Sequence, residues 1–177
     1  MSEIKNTYTI SIYTENNLGL LNRISAIFLK RHISIESLTT SQSEIENIFR
    51  FVIVVSITKP SVGRVVKQIE KQIEVIAAFY HSNEETIYLE TALYKVKSKS
   101  LFNEKNIQKI IKNSQANIVT VSLDYFVIEK TGWRKDTEKL YDELEPYGLL
   151  QFVRSGRISV TKEPMNISNF LGLNTDK

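Results

Sequence analysis

The segment Ile48–Ile57, with the sequence IFRFVIVVSI, constrains the fold of this chain more than any other. Its β-branched and aromatic residues favour a strand, and no glycine or proline interrupts them. Such nearly continuous apolarity is typical of a strand covered on both faces, whereas a strand with one solvated face alternates apolar and polar residues. The sequence therefore predicts a central strand, with the rest of the chain arranged around it.

The segments around this strand predict a βαββαβ unit. Residues 7–13 alternate apolar and polar side chains, which indicates a strand with one apolar face. From Leu20 the apolar spacing becomes that of a helix, residues 32–40 are extended again, and a second helix opens with Ser61 as its N-cap. Residues 75–81 are predicted to form a final strand. This order, within about 80 residues, is that of the ferredoxin-like fold.

The second half of the chain repeats this order with little sequence identity. The predicted elements are a strand at 86–96, a helix at 105–114, strands at 117–121 and 123–129, a helix that starts at Thr131-Gly132-Trp133, and a last strand split into 149–153 and 157–160. The expected fold class is therefore α+β, with two ferredoxin-like modules. We expect domains at residues 1–82 and 83–162, followed by a loosely ordered tail at 163–177.

The composition argues against most kinds of catalytic site. The chain has no cysteine and only two histidines, His32 and His81, so a zinc site would need carboxylates for most of its ligands. The sequence contains no nucleophile elbow, Walker loop or dinucleotide-binding glycine motif. We therefore expect a non-catalytic protein without a metal or cofactor of its own.

Targeting and charge patterns narrow the class further. The start, MSEIKN, lacks the features of a signal peptide, and the longest apolar run is far too short to span a bilayer. The net charge is +3, but lysines alternate with glutamates, as in EKQIE at 70–74, which indicates a solvated helix face. We expect a cytoplasmic protein that binds neither membrane nor nucleic acid.

The stretch NNLGLL at residues 16–21 is the best candidate for a site. A strand ends, a loop containing Gly19 follows, and a helix begins. Unpaired N–H groups at the start of a helix can bind a carboxylate, and a glycine lets a ligand approach the main chain. The alternative is structural, since an asparagine before a helix is commonly only its cap. The residues alone leave both interpretations open.

The stretch ISIESL at residues 33–38 begins the second predicted strand. In a split βαβ unit this strand lies at the edge of the sheet, and edges pair with other chains unless they are blocked. An edge-to-edge dimer would bring this stretch near the loop at 16–21 of its neighbour. The alternative is an ordinary strand with alternating burial.

Three segments, taken in order, resemble the small regulatory subunit of acetolactate synthase (acetohydroxyacid synthase). They are ENNLGLLNRISAIFLKRHISIESLT at 15–39, QIEKQIEVI at 68–76 and EPYGLLQFVRSGRISV at 145–160. The first is similar to the family's Asn-x-x-Gly-x-Leu loop, helix and Ile-Glu-Ser-Leu-Thr strand, and the third to its C-terminal signature around Arg-x-Gly. The resemblance covers roughly residues 5–162.

The resemblance implies an N-terminal ACT domain and a regulatory chain that binds and activates a separate catalytic subunit. That subunit, rather than this chain, is expected to hold thiamine diphosphate, Mg and FAD. A branched-chain amino acid, usually valine, is expected to bind between the ACT domains of a homodimer and to inhibit the enzyme. Carried over by position, the valine site comprises Asn16, Gly19, Leu20 and Leu21 on the loop and Ser34 and Ile35 on the facing strand.

One predicted site residue departs from the family, because Ser34 stands where many members have an asparagine. A hydroxyl still donates and accepts hydrogen bonds, but its reach is shorter than that of an amide. Two other functions remain open. The chain could be a stand-alone amino-acid sensor, or an RNA-binding protein in which Phe49, Arg50 and Phe51 superficially resemble a base-stacking strand.

Overall fold

A computed structural model describes residues 4–99, 105–165 and 167–170 of the chain. The chain divides into two compact units, one formed by residues 1–87 and 159–177 and the other by residues 88–158. Each unit has its own sheet and its own hydrophobic core.

The first unit is a βαββαβ fold around a four-stranded antiparallel sheet. Its elements are β1 (Asn6–Glu15), α1 (Leu20–Lys30), β2 (Ile35–Gln42), β3 (Ile48–Ile57), α2 (Lys59–Ile69) and β4 (Val75–Ser82). The strands lie in the order β2-β3-β1-β4, so that β2 is at the edge of the sheet. This order confirms the ferredoxin-like prediction.

The strand β3 spans the predicted central segment and is buried on both faces. Phe51, Ile53 and Val55 belong to the core between the sheet and the helices. Val52 and Val54 point to the opposite face and are also buried, which confirms the prediction of a strand covered on both sides. The helices contribute apolar residues spaced three and four apart. These are Leu20, Ile24, Ile27 and Phe28 from α1 and Val62, Val65, Val66 and Ile69 from α2.

The starts of two elements differ from the sequence prediction. Ser61 is not the N-cap of α2, because the helix already begins at residue 59 and Thr58 holds the cap position. Pro60 fits within the first helical turn, where the N–H that it lacks would have no partner in the helix. The second strand starts at Ile35 rather than at residue 32, because His32 adopts a φ of +54° just after α1 ends.

The second unit repeats the topology of the first. Its elements are β5 (Thr86–Lys97), α3 (Lys105–Asn113), β6 (Asn117–Val121), β7 (Tyr125–Gly132), α4 (Arg134–Leu144), a short 3-10 helix (Glu145–Tyr147), β8 (Leu149–Arg154) and β9 (Ile158–Thr161). The strand order is β6-β7-β5-β8, and β9 pairs with β5. The predicted repeat, with a last strand split in two, is confirmed, and the division between the units falls within β5 and β9.

The Arg-x-Gly segment has a structural role in the second unit. Arg154 Nε lies 3.3 Å from Glu90 Oε2, and Arg154 Nη1 lies 3.2 Å from Glu138 Oε1. The main-chain N–H of Ser155 donates to the Thr91 carbonyl at 2.8 Å, and Ser155 Oγ accepts from the Thr91 N–H at 2.9 Å. Through these contacts the segment connects the end of β8 to both β5 and α4.

The chain returns to the first unit at Ser159, whose carbonyl accepts a 2.8 Å hydrogen bond from Arg50 Nη2. A short helix, α5 (Ile167–Phe170), follows, and Ile167 is buried beside Tyr13 and Ile48. Part of the segment expected to be a loose tail is thus packed, because Ile167 covers apolar side chains of the sheet. Residues 166 and 171–177 of that predicted tail lie outside the described residues.

Shortening a side chain in the central strand should destabilise the first unit strongly. Ile53 has no exposed surface, so Ile53→Ala removes apolar contacts and leaves a cavity, and we expect a loss of about 2–5 kcal/mol in the free energy of unfolding. Urea denaturation followed by circular dichroism measures it. Ile73→Ala is the matched control, since Ile73 is 96% exposed and its truncation should change stability by less than about 0.5 kcal/mol. Equal effects of the two changes would contradict this account of the core.

Candidate functional site

The candidate site lies on the loop that joins β1 to α1. Residues 16–19 are exposed, and the helix begins directly after Gly19. Gly19 has a φ of +84°, in the left-handed region that residues with a Cβ adopt only with strain. A Cβ added at this position would meet no heavy atom within 4 Å. The main chain at the start of α1 is therefore open to a ligand.

No asparagine side chain caps α1. Gly19 occupies the N-cap position, and no side chain hydrogen-bonds to the first turn from there. The interpretation of the loop as an asparagine cap is wrong, because the left-handed turn at Gly19 starts the helix. Helix geometry leaves the N–H groups of Leu21 and Asn22 without an intrahelical acceptor and gives them partial positive charge. Such groups can bind a carboxylate.

The structure places the six predicted site residues in different environments. Three of them are exposed: Asn16, Gly19 and Ser34. Leu21 keeps 41% of its surface exposed, whereas Leu20 keeps 1% and packs in the core. Only the main chain of Leu20 is thus available to a ligand. Ile35, the first residue of β2, is half-buried against the same core.

Within one chain, the two halves of the predicted site lie at opposite ends of the sheet. Both β1 and β2 run antiparallel to β3, and Tyr8 and Ile35 pair with the same residue, Val55. The loop follows Glu15, seven positions after Tyr8, which is roughly 23 Å further along at the rise of a strand. A ligand of the size of valine cannot contact both halves in a single chain.

Two residues near the loop have environments that the sequence analysis did not single out. Leu18 is 99% exposed, although it is a large aliphatic residue. Thr14 is fully buried at the end of β1, and its Oγ1 has no hydrogen-bond partner among the described residues. The sequence contains a signal for each residue. Leu18 is the one apolar residue in the loop at 16–19, and Thr14 occupies the position where the alternation of Ile10 and Ile12 predicts another apolar residue.

An ion pair fixes the first turn of α1 beside the start of β4. Arg23 Nη2 lies 2.5 Å from Glu74 Oε1, and the Glu74 carbonyl accepts a 3.0 Å hydrogen bond from the Glu15 N–H. The hydrogen bond from Arg23 lowers the pKa of the Glu74 carboxyl. Glu74 therefore contacts both the strand before the loop and the helix after it.

The described residues do not support the RNA-binding function that the sequence left open. Phe49 and Phe51 pack with the core beneath the helices, so they are not free to stack on bases, and the RNA-binding hypothesis loses its basis. In the described ranges, no group of three or more His, Asp or Glu side chains could hold a metal ion. No helix of the described chain is long and apolar enough to cross a membrane.

Two family models match consecutive parts of the chain. A model described as an AHAS small subunit-like ACT domain matches residues 10–77. A model described as the small subunit of acetolactate synthase matches residues 89–163.

Curated relatives and a solved structure agree with these models. The chain is 32% identical over 167 residues to the acetolactate synthase small subunit of Mycolicibacterium smegmatis, which covers 94% of this chain and 98% of that protein. It is 35% identical over 148 residues to that of Bacillus subtilis, covering 83% and 86%. The crystal structure of the Thermotoga maritima small subunit has a TM-score of 0.81 at 23% identity and covers 90% of this chain and 99% of that one. At that identity the likeness concerns the fold.

Replacing Gly19 and Gly63 by alanine should change stability in opposite directions. Gly19→Ala forces a Cβ into a left-handed turn, and we expect a loss of about 1–2 kcal/mol. Gly63 lies inside α2, where an added Cβ would meet only the Tyr80 hydroxyl at 3.9 Å. Gly63→Ala should therefore raise stability by about 0.5–1 kcal/mol through better helix propensity. Urea denaturation of both variants checks the difference, and a stabilising Gly19→Ala would refute the strained turn.

Proposed function

This chain belongs to the acetolactate synthase small-subunit family, and we propose that it binds and activates a separate catalytic subunit and makes that subunit sensitive to valine. The observation that carries the proposal is the open main chain at Gly19 before α1. In this proposal residues 1–82 act as the ACT regulatory domain and residues 83–162 as the second domain. The thiamine diphosphate, Mg and FAD of the reaction belong to the catalytic subunit.

A homodimer through β2 would bring together the two halves of the valine site. The strand β2 is at the edge of the described sheet and pairs there with β3. Antiparallel pairing with β2 of a second copy would set Ile35 of one chain near Gln42 of the other. Gln42 lies at the end of the sheet where β1 passes into the loop. Each of two equivalent sites would then take its loop from one chain and Ser34 and Ile35 from the other.

The exposed groups match the chemistry of an aliphatic amino acid. The free N–H groups of the first turn of α1 bind the carboxylate. Main-chain carbonyls and the Asn16 amide accept hydrogen bonds from the ammonium group. The exposed aliphatic surface of Leu18 and Leu21, together with Ile35 of the other chain, covers the side chain. Ser34 contributes a hydroxyl of short reach, so we expect weaker valine binding than an asparagine at this position would give.

Valine can inhibit the catalytic subunit only by binding two states of the small subunit with different affinity. A site shared by two chains provides that difference, because the ligand holds the two ACT domains in one arrangement and is lost when they separate. By linkage, the factor by which valine alters the affinity of the small subunit for the catalytic subunit equals the factor by which the catalytic subunit alters the affinity for valine.

Addition of the purified chain to its catalytic subunit should raise the rate of acetolactate formation, and valine should reverse that increase. The rate measured with and without each component tests the proposal. Gly19→Asp, which places a carboxylate beside the ligand carboxylate, should still activate but should lose the response to valine. If a folded catalytic subunit shows no change in rate on addition of the chain, the regulatory function is refuted. Valine binding without any effect on that subunit would instead favour a stand-alone sensor.

Mixing two defective variants should restore valine binding if the site is shared. Gly19→Asp damages the loop, and Ser34→Phe blocks the facing strand at an exposed position. Neither homodimer should bind valine by calorimetry. A mixed dimer contains one site with both changes and one site with neither, so re-equilibrated mixtures should bind again. The double variant Gly19→Asp/Ser34→Phe, mixed with itself, is the control, and absence of recovery would refute a site shared by the loop of one chain and Ser34 of the other.

A further inference from the structure

The edge strand β6 exposes more of its length than any other described strand, since each of its five residues is exposed. Ile118, Val119 and Val121 have exposed fractions of 45, 60 and 49%, and Leu123, just beyond the strand, has 97%. No charged residue occurs between positions 117 and 123. A neutral, largely aliphatic strand in solvent is unusual in a chain in which 24% of the residues are charged.

The free side of β6 is also open to main-chain hydrogen bonding. The strand lies at the edge of the second sheet and pairs only with β7 in the described chain. Natural edge strands are usually protected by lysine, proline, an inward-pointing charge or a bulge. The strand β6 contains no lysine, no proline and no charge. Its one irregularity is a bulge at Val119, between Ile118 and Thr120. Apart from this one bulged residue, the edge can therefore accept another strand.

We propose that β6 pairs in antiparallel orientation with β6 of a second copy of this chain. The strand is self-complementary in that arrangement. The bulge puts Ile118 and Val121 on one face of the sheet, opposite Ile128 and Phe126 of β7. A two-fold axis through the bulge sets each Ile118 against the partner's Val121, so aliphatic side chains meet on both sides of the axis.

The missing charge of β6 favours an identical strand as its partner, and the short length of β6 makes the contact weak. An uncharged strand has nothing to select an acidic or a basic partner, whereas an identical strand matches its aliphatic pair and brings no like charges together. Five residues cover much less than the roughly 800 Å² per partner of a stable complex. The association is therefore concentration-dependent. It involves a different strand from the β2 contact of the proposed function and does not depend on valine or on the catalytic subunit.

Disulfide cross-linking tests the register directly. The chain has no cysteine, so Ile118→Cys and Val121→Cys chains each carry one thiol. When a tagged sample of one is oxidised with an untagged sample of the other, the mixed dimer should form in preference to dimers of either variant alone. Ile73→Cys, at a site 96% exposed and outside the second unit, reports random collisions. A mixed dimer no more abundant than the Ile73→Cys dimer overturns the proposal.

Sedimentation tests the association without cross-linking. Val119→Lys puts two like charges at the two-fold axis, so it should abolish one concentration-dependent association step that the unaltered chain and Ile73→Lys both retain. Circular dichroism of Val119→Lys establishes that it is folded. Identical sedimentation of all three chains at every concentration refutes pairing of β6 with itself. Loss of catalytic-subunit binding by Val119→Lys, with unchanged self-association, would assign the edge to that subunit instead.

Discussion

Burial of β3 on both faces is the constraint on which the first unit depends. A strand that carries Ile53 and Val55 on one face and Val52 and Val54 on the other cannot lie at the edge of a sheet without exposing apolar surface. It therefore takes β1 and β2 as neighbours on its two sides, and two helices cover one of its faces. Because β1 and β2 are both antiparallel to β3, their directions are fixed as well.

That constraint decides where a ligand site can be. The direction of β1 places the loop before α1 at one end of the sheet, and the direction of β2 places Ser34 at the other. The two halves of the predicted site are therefore too far apart to meet within one chain, and in the function that we propose the edge position of β2 supplies the contact between two chains. The ion pair of Arg23 and Glu74 holds the loop at its end of the sheet.

Much of this fold follows from periodicity in the sequence. The bounds of β3 agree fully with the prediction, because β-branched residues without a breaker define a strand locally. The start of α2 was missed because Pro60 can lie inside a first helical turn, so a proline does not mark the first residue of the helix. The resemblance places Leu20 at the ligand, yet the Leu20 side chain shares the helical phase of Ile24 and Ile27 and is buried with them. The separation of Ser34 from the loop could not be predicted from either segment alone, since it depends on strand directions set by tertiary pairing.

The return of the chain to the first unit at Ser159 bears on the order in which the protein can be completed during synthesis. Residues 88–158 form an insertion in the sequence of the first unit. The small cluster of Tyr13, Ile48 and Ile167 combines side chains from both ends of the chain. Because a ribosome releases Tyr13 and Ile48 long before Ile167, the cluster on this face of the first sheet stays incomplete until residue 167 has left the ribosome. A nascent chain therefore contains all of residues 88–158 before its first unit can be closed, and a fragment that stops at residue 82 would never acquire that last contact.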